Sequence, residues 1–321
     1  MEYYKSCMKG HYLSTTTSYH RHELDSLLPE VTVSLMLEDP AGPCRSILEK
    51  KGSFGDLLYD LLEQSIPMHR ISRIIEVGGG YGYLMRDLLK RNGRLKATML
   101  DLSPYLLEMQ RQALDGFDAR FICCDFLEEG GTADSVLPHM DLAILNEVVG
   151  DLPTACCIPA SALSCSHPDD ALISEVRRIF CSYHLTPPLG ERFNFNLGAV
   201  QAVEKLCSAS VPYIYISEHS CQARVPAALS GLLQISSPGE PERIRLRGHD
   251  EYTVRFSDLE CVASSMGYDA MRGSYLDFIR PVIEGEVAFI LRLGPSKVDR
   301  YEIISQFVED LAKYEFLVLS G

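Results

Sequence analysis

Between residues 73 and 145, short apolar runs alternate with amphipathic stretches of helical length. The runs occupy 74–77, 97–100, 120–124 and 142–145, each of four or five residues, the length of a buried strand. Between the first two, Leu84, Leu88 and Leu89 line one helical face. Between the second and third, Ser103 and Pro104 supply an N-cap and a proline at the first helical position. Strand alternating with helix predicts an α/β domain on a mostly parallel sheet with helices on both faces. A fifth strand is predicted at 212–217, after a helix carrying Leu197, Val200, Val203 and Leu206. The long, irregular gap before it, 153–195, reads as an insertion between strands four and five that carries substrate specificity, with the length of a lid.

Upstream, Phe54, Leu57, Leu58, Leu61 and Leu62 repeat at helical spacing and predict a helix over 53–64. Asp39-Pro40-Ala41-Gly42-Pro43 interrupts any helix before it, so residues 1–70 read as an N-terminal helical appendage to a domain over 71–295. Downstream, a polar loop with Pro238, Gly239 and Pro241 precedes a capped helix at 257–266. Apolar stretches at 268–275 and 287–293 read as a strand pair closing the sheet. Val298, Ile303, Phe307, Val308 and Leu311 fall in helical register, so residues 296–321 are expected to form a C-terminal helix packed on the core.

The composition of these 321 residues, 46% hydrophobic and 23% charged, is that of a globular protein of one large or two modest domains. No apolar run reaches the roughly 18–20 residues of a membrane span, and residues 1–15 contain Glu2, Lys5, Lys9 and His11 without an apolar core. Neither membrane insertion nor export is expected, and a cytoplasmic location follows. Thirty Lys and Arg against 44 Asp and Glu leave a net charge of −14, which disfavours nucleic acid and favours a cationic protein or small-molecule substrate. The eleven cysteines are odd in number, include the vicinal pairs Cys123/Cys124 and Cys156/Cys157, and contain no Cys-x-x-Cys. They read as mostly buried thiols in a reducing compartment. Cys156, Cys157, Cys165 and His167 match no regular zinc knuckle, and no metal is expected.

The chemistry concentrates in Glu76-Val77-Gly78-Gly79-Gly80-Tyr81-Gly82, where an apolar strand runs through an acid into glycines and then an amphipathic helix. Glycine admits positive φ and lets a ligand approach backbone N–H groups. A tight turn alone would also use such a triplet. The dinucleotide fingerprint needs glycine or alanine at position 83, where Tyr83 stands, so a pyrophosphate ligand loses ground. A second acid, Asp101, ends its strand nineteen residues after Gly82, near the offset at which a carboxylate holds ribose hydroxyls. A capping role before Ser103-Pro104 is the plainer alternative. A third acid, Asp125, ends the next strand and is followed by Phe126.

The Glu-x-Gly-x-Gly-x-Gly pattern resembles the first motif of class I S-adenosylmethionine-dependent methyltransferases. That resemblance implies a Rossmann-like methyltransferase fold with a seven-stranded sheet, and S-adenosylmethionine as cofactor with S-adenosylhomocysteine as product. It implies cofactor contacts at Glu76, Gly78, Gly79, Gly80, Tyr81, Gly82, Asp101, Leu102, Asp125, Phe126 and Asn146, with Glu76 toward the ammonium, Asp101 toward the ribose and Asp125 toward the adenine. Asn146-Glu147 with Asp151-Leu152-Pro153, Ser53-Phe54-Gly55 and Gly248-His249 with Tyr252-Thr253 are similar to the MidA family, methyltransferases linked to assembly of respiratory complex I. The similarity covers roughly residues 50–280 and implies protein arginine methylation. Val148, Val149 and Gly150 depart from that family's pattern and put the substrate in doubt.

For a guanidinium or amine acceptor, carboxylates must hold the nitrogen in line with the methyl group. Glu147 is the first candidate, Asp151 the second, and Glu218 with His219 a wall or proton acceptor. A lone histidine after a strand is more often a surface residue. No Gly-x-Ser-x-Gly, His-Glu-x-x-His or phosphate-binding Gly-Lys-Ser/Thr occurs, which speaks against hydrolase, zinc and phosphoryl chemistry. The competing expectations are a catalytically silent assembly factor retaining the fold and, more remotely, an NAD-linked oxidoreductase.

Overall fold

The fold, given by a computed structural model, is described over residues 10–28, 32–164, 170–293 and 298–321. In chain order its strands are β1 (Tyr12–Ser14), β2 (Arg73–Val77), β3 (Lys96–Asp101), β4 (Ala119–Cys123), β5 (Leu142–Asn146), β6 (Thr154–Pro159), β7 (Arg192–Phe195), β8 (Tyr213–His219), β9 (Arg243–Arg245), β10 (Asp250–Tyr252), β11 (Asp269–Ser274) and β12 (Tyr314–Ser320). Seven of them form one sheet in the order β11-β12-β8-β5-β2-β3-β4. All pairs from β8 to β4 are parallel, while β12 runs antiparallel to both β8 and β11. Only β12 is reversed, so the sheet is the mostly parallel one expected.

Alternation along the strands divides the core between the two faces. Ile74, Met99, Ile144, Tyr215 and Phe316 pack with the helices Phe54–Ser65, Tyr83–Arg91 and Asp299–Lys313 on one face. Ile75, Leu100, Leu145, Ile216 and Leu317 pack with Leu197–Ser208 and Phe256–Ser265 on the other. Helix starts follow local chemistry. Ser53 accepts from the Asp56 N–H while Asp56 returns to the Ser53 N–H, a reciprocal capping box. Ser103 accepts from the Leu106 N–H ahead of Pro104, and Gln110 of the helix it starts lies against Gly82 of the glycine turn.

Three elements differ from expectation. Residues 287–293 belong to the helix Gly285–Leu293, not to a strand. Val287, Ile290 and Leu291 are buried at helical spacing while Phe289 and Leu293 stay exposed, so the period is 3.6 rather than 2. The strand that closes the sheet with β11 is instead β12, placed after the C-terminal helix and inserted beside β8. The N-terminal region adds a strand to its helices: β1 pairs with β6, which pairs with β7, in a separate three-stranded sheet. This sheet and the helix Ala171–Tyr183 make up much of the insertion. The expectation of unpaired thiols fails at Cys157, which is disulfide-bonded. Buried free thiols stand at Cys44, Cys156, Cys207 and Cys221, whereas Cys123 and Cys181 are exposed. Cys165 and His167 lie outside the described residues. Among the described residues, no helix is long and apolar enough to cross a membrane.

Candidate cofactor and acceptor site

The carboxyl ends of β2, β3, β4 and β5 open on one side of the sheet, where parallel α/β sheets place ligands. At the tip of β2, Gly78, Gly80 and Gly82 take φ of +66°, +51° and +81°, a region that L side chains enter at a cost. Space is equally restrictive at two positions. A Cβ on Gly78 would lie 2.4 Å from the Val148 side chain, and one on Gly79 2.4 Å from the Met99 methyl and 3.1 Å from the Glu76 carboxyl. Gly82 is the N-cap of Tyr83–Arg91, and a Cβ there would press on Gln110 at 3.2 Å. The Tyr81 hydroxyl accepts from the Leu27 N–H at 2.8 Å, tying the N-terminal segment to the turn.

Glu76 is buried, and its Oε2 has no hydrogen-bond partner. Burial, with the Asp101 carboxylate as a second cause, pushes its pKa up to about 8. Asp101 is also buried; its Oδ1 accepts from the Ser103 N–H at 2.9 Å and its Oδ2 from the Gln110 amide at 2.8 Å. Burial raises Asp101 to about 6 against those two hydrogen bonds. The capping alternative is therefore realised, yet each oxygen retains acceptor capacity. Asp125 caps its own turn by accepting from the Leu127 N–H at 3.0 Å, and Arg21 of the helix Thr17–His22 approaches it at 3.9 Å.

At the tip of β5, Asn146 accepts from the Ser217 hydroxyl at 2.9 Å and the Tyr275 hydroxyl at 3.1 Å, and donates to Glu147 Oε1 at 3.3 Å. Glu147 has φ +52°, a strained backbone for a side chain of this size, of order 1–3 kcal/mol. Its N–H donates to the Ser217 carbonyl at 2.9 Å, which holds it there. Burial pushes Glu147 up to about 7 although the Asn146 amide opposes it. One β-strand over, the Glu218 carboxylate accepts from the Gly150 N–H at 3.0 Å and the His219 N–H at 2.9 Å. Burial and the neighbouring Glu251 hold Glu218 well above the ordinary carboxylate range. His219 is half-buried against the Tyr314 ring, 3.9 Å between centroids, not the surface residue expected. Burial, assisted by Lys313, lowers it to about 3. Asp151 meets His20 Nε2 at 3.1 Å.

All the residues from the sequence reading except Gly82 line a single cavity of about 930 Å³. Gly82 stands behind it, fixing the turn. The insertion contributes Pro153 to the lining among its described residues; the rim comes from the N-terminal segment, the β9–β10 region and the helix Asp299–Lys313. Among the described residues, eleven carboxylates line this cavity against one lysine, Lys313. The sequence reading missed several of them. Asp310 lies on the inward face of its helix among Phe307, Val308 and Leu311, an acid on an apolar stripe that periodicity alone could have marked. Glu251 and His249 sit beside Gly248 and Tyr252, residues noticed for similarity but given no role. His20 carried no signal, because the Asp151 carboxylate it meets is 131 residues away in the chain.

No family model and no curated protein matches this chain. Solved structures do match. A Haemonchus contortus phosphoethanolamine N-methyltransferase 2 in complex with S-adenosyl-L-methionine is 12% identical, with TM-score 0.44 over 91% of this chain and 60% of its own. A Mesorhizobium loti S-adenosylmethionine-dependent methyltransferase is 12% identical, with TM-score 0.43 over 83% of this chain and 98% of its own. An O-methyltransferase family protein from Burkholderia thailandensis is 13% identical, with TM-score 0.41, and this chain spans only 55% of its length. Likeness at this level leaves the fold resting on the strand order itself.

Proposed function

We propose that this chain is an S-adenosylmethionine-dependent methyltransferase acting on a cationic or amine acceptor. The observation that carries the reading is Glu76: a buried, half-unpartnered carboxyl beside a glycine turn that admits no Cβ at Gly78 or Gly79. Burying a carboxylate without a counter-charge is costly, and a ligand ammonium offsets that cost. The residues present fit the cofactor. Glu76 would take its ammonium, Asp101 its ribose hydroxyls, and Asp125 with Leu102 and Phe126 its adenine, while Gly78, Gly79, Gly80 and Tyr81 line the approach. Bound there, the cofactor supplies an electrophilic methyl group on a sulfonium.

The chain's own work is alignment, exclusion of water and proton acceptance. Glu147, with a pKa near 7, is poised at neutral pH to hold an acceptor nitrogen and receive its proton. Asn146 keeps Glu147 oriented through its amide. Glu218 is committed to two backbone N–H groups, so it acts as a wall rather than as a base. The excess of acids in the cavity favours a guanidinium or protonated amine arriving at the site.

Protein arginine as acceptor, and kinship with MidA proteins, rest on the sequence motifs alone. A silent assembly factor would share the fold but gives no reason for the strain and raised pKa at Glu147. Titrating the protein calorimetrically with S-adenosylmethionine, then following labelled-methyl transfer onto a lysate, tests the proposal. Stoichiometric binding and label on basic residues support it, and absence of binding at millimolar cofactor sinks it.

A further inference from the structure

We infer that His20, Asp151 and His249 form a binding site for one divalent first-row transition ion of the zinc type at the rim of the cavity. The three residues come from remote parts of the chain. His20 lies on the helix Thr17–His22, Asp151 follows β5, and His249 sits in the turn between β9 and β10. Their candidate ligand atoms all fall within 4.8 Å of one another. Asp151 Oδ1 stands 3.1 Å from His20 Nε2 and 3.5 Å from His249 Nε2. Ligands held at about 2.0–2.1 Å from one zinc-type ion in tetrahedral or octahedral order are themselves about 3–3.4 Å apart. The second distance is long for an N–H···O hydrogen bond but close to that ligand–ligand spacing.

The donors are also held in place. Tyr19 stacks on the His249 ring, 4.2 Å between centroids at 20°, and the Thr16 hydroxyl donates to the Asp151 carbonyl at 2.9 Å. The His249 side chain is 2% exposed, with His20 and Asp151 near 15%, so this is not a solvated surface cluster. Glu251 Oε1 lies 3.5 Å from His249 Nε2, beside the three donors. Two imidazoles and carboxylate oxygen select a borderline ion over magnesium or calcium, which prefer all-oxygen shells. His20, Asp151 and Glu251 line the cavity, so an ion with three protein ligands keeps a position from which to bind an oxygen or nitrogen donor there. The same ion would fasten the N-terminal helix and the β9–β10 turn to the tip of β5.

The site stands apart from the cofactor reading, and one set of titrations separates the two. Chelator-treated protein is titrated with ZnCl2 and, separately, with S-adenosylmethionine, and Co2+ is added as a visible-absorption probe of nitrogen ligation. One zinc per chain is expected, together with Co2+ d–d bands that change when either histidine is replaced. His249→Ala, His20→Ala and the isosteric Asp151→Asn should each weaken zinc by more than about tenfold, the loss common even for outer-shell partners. Zinc uptake equal in wild type and in the His20→Ala/His249→Ala double variant, both folded by circular dichroism, overturns the site. Cofactor binding without zinc binding removes the metal site alone; zinc binding without cofactor binding removes the methyltransferase alone.

Discussion

Replacing Glu76 with glutamine should make the cofactor-free protein more stable and a poorer cofactor binder at the same time. The carboxyl is buried and its pKa is raised from the ordinary 4.5 to about 8, so the fold favours the protonated form. A group raised in this way contributes stability that is complete below 4.5 and lost as pH climbs through 8. At about 1.4 kcal/mol for each pH unit between the two values, the loss at pH 8 reaches ~5 kcal/mol at most. Glutamine resembles the protonated acid and has nothing to lose. Wild type and Glu76→Gln should therefore unfold alike at pH 4.5 and diverge toward pH 8, by up to ~10 °C at about 2 °C per kcal/mol for a chain of this size. In the opposite sense, removing a charge-assisted hydrogen bond of about 1.5–3 kcal/mol should weaken S-adenosylmethionine about 10- to 150-fold at pH 8. Wild-type binding should release a proton below pH 8, visible as a buffer-dependent heat. Thermal unfolding across pH and calorimetry in two buffers measure all three. An unfolding difference that does not change with pH, or unchanged affinity at pH 8, would refute the reasoning.

Gly79→Val should abolish cofactor binding, because even a Cβ at that position meets Met99 at 2.4 Å and the Glu76 carboxyl at 3.1 Å; calorimetry of a folded variant that still binds would count against the turn as the cradle. Glu147→Gln should leave cofactor affinity within about threefold yet lower methyl transfer by about 10²-fold or more, and it should remove the limb near pH 7 that the raised Glu147 pKa imposes on the rate; unchanged turnover contradicts its role. Ser53→Ala removes the cap of Phe54–Ser65 and should cost about 0.5–2 kcal/mol in urea unfolding without altering cofactor affinity, since Ser53 does not line the cavity.

The parallel strands were legible because each is an apolar run bounded by a turn or a cap, and the tip acids stand where those runs stop. Glu76, Asp101, Asp125 and Glu147 fall at four neighbouring strand ends for that reason. The reversed strand β12 was not legible, since its apolar run directly continues the helix Asp299–Lys313 and no turn residue separates them. Residues 287–293 misled for the converse reason: a short apolar run fits either period until its exposed positions, Phe289 and Leu293, are known. Side-chain roles fixed by remote partners stayed hidden as well. That Asp101 is shared with Gln110, that Glu218 accepts from Gly150, and that His20 meets Asp151 and approaches His249 are tertiary facts with no local signature.

The most direct test of the central claim is a crystal structure of the protein grown with S-adenosylmethionine. The account predicts the cofactor in the cavity at the β2 tip, its ammonium on Glu76 and its ribose hydroxyls on Asp101. Density for the ligand elsewhere, or a glycine turn filled by protein atoms from the segment around Leu27, contradicts it.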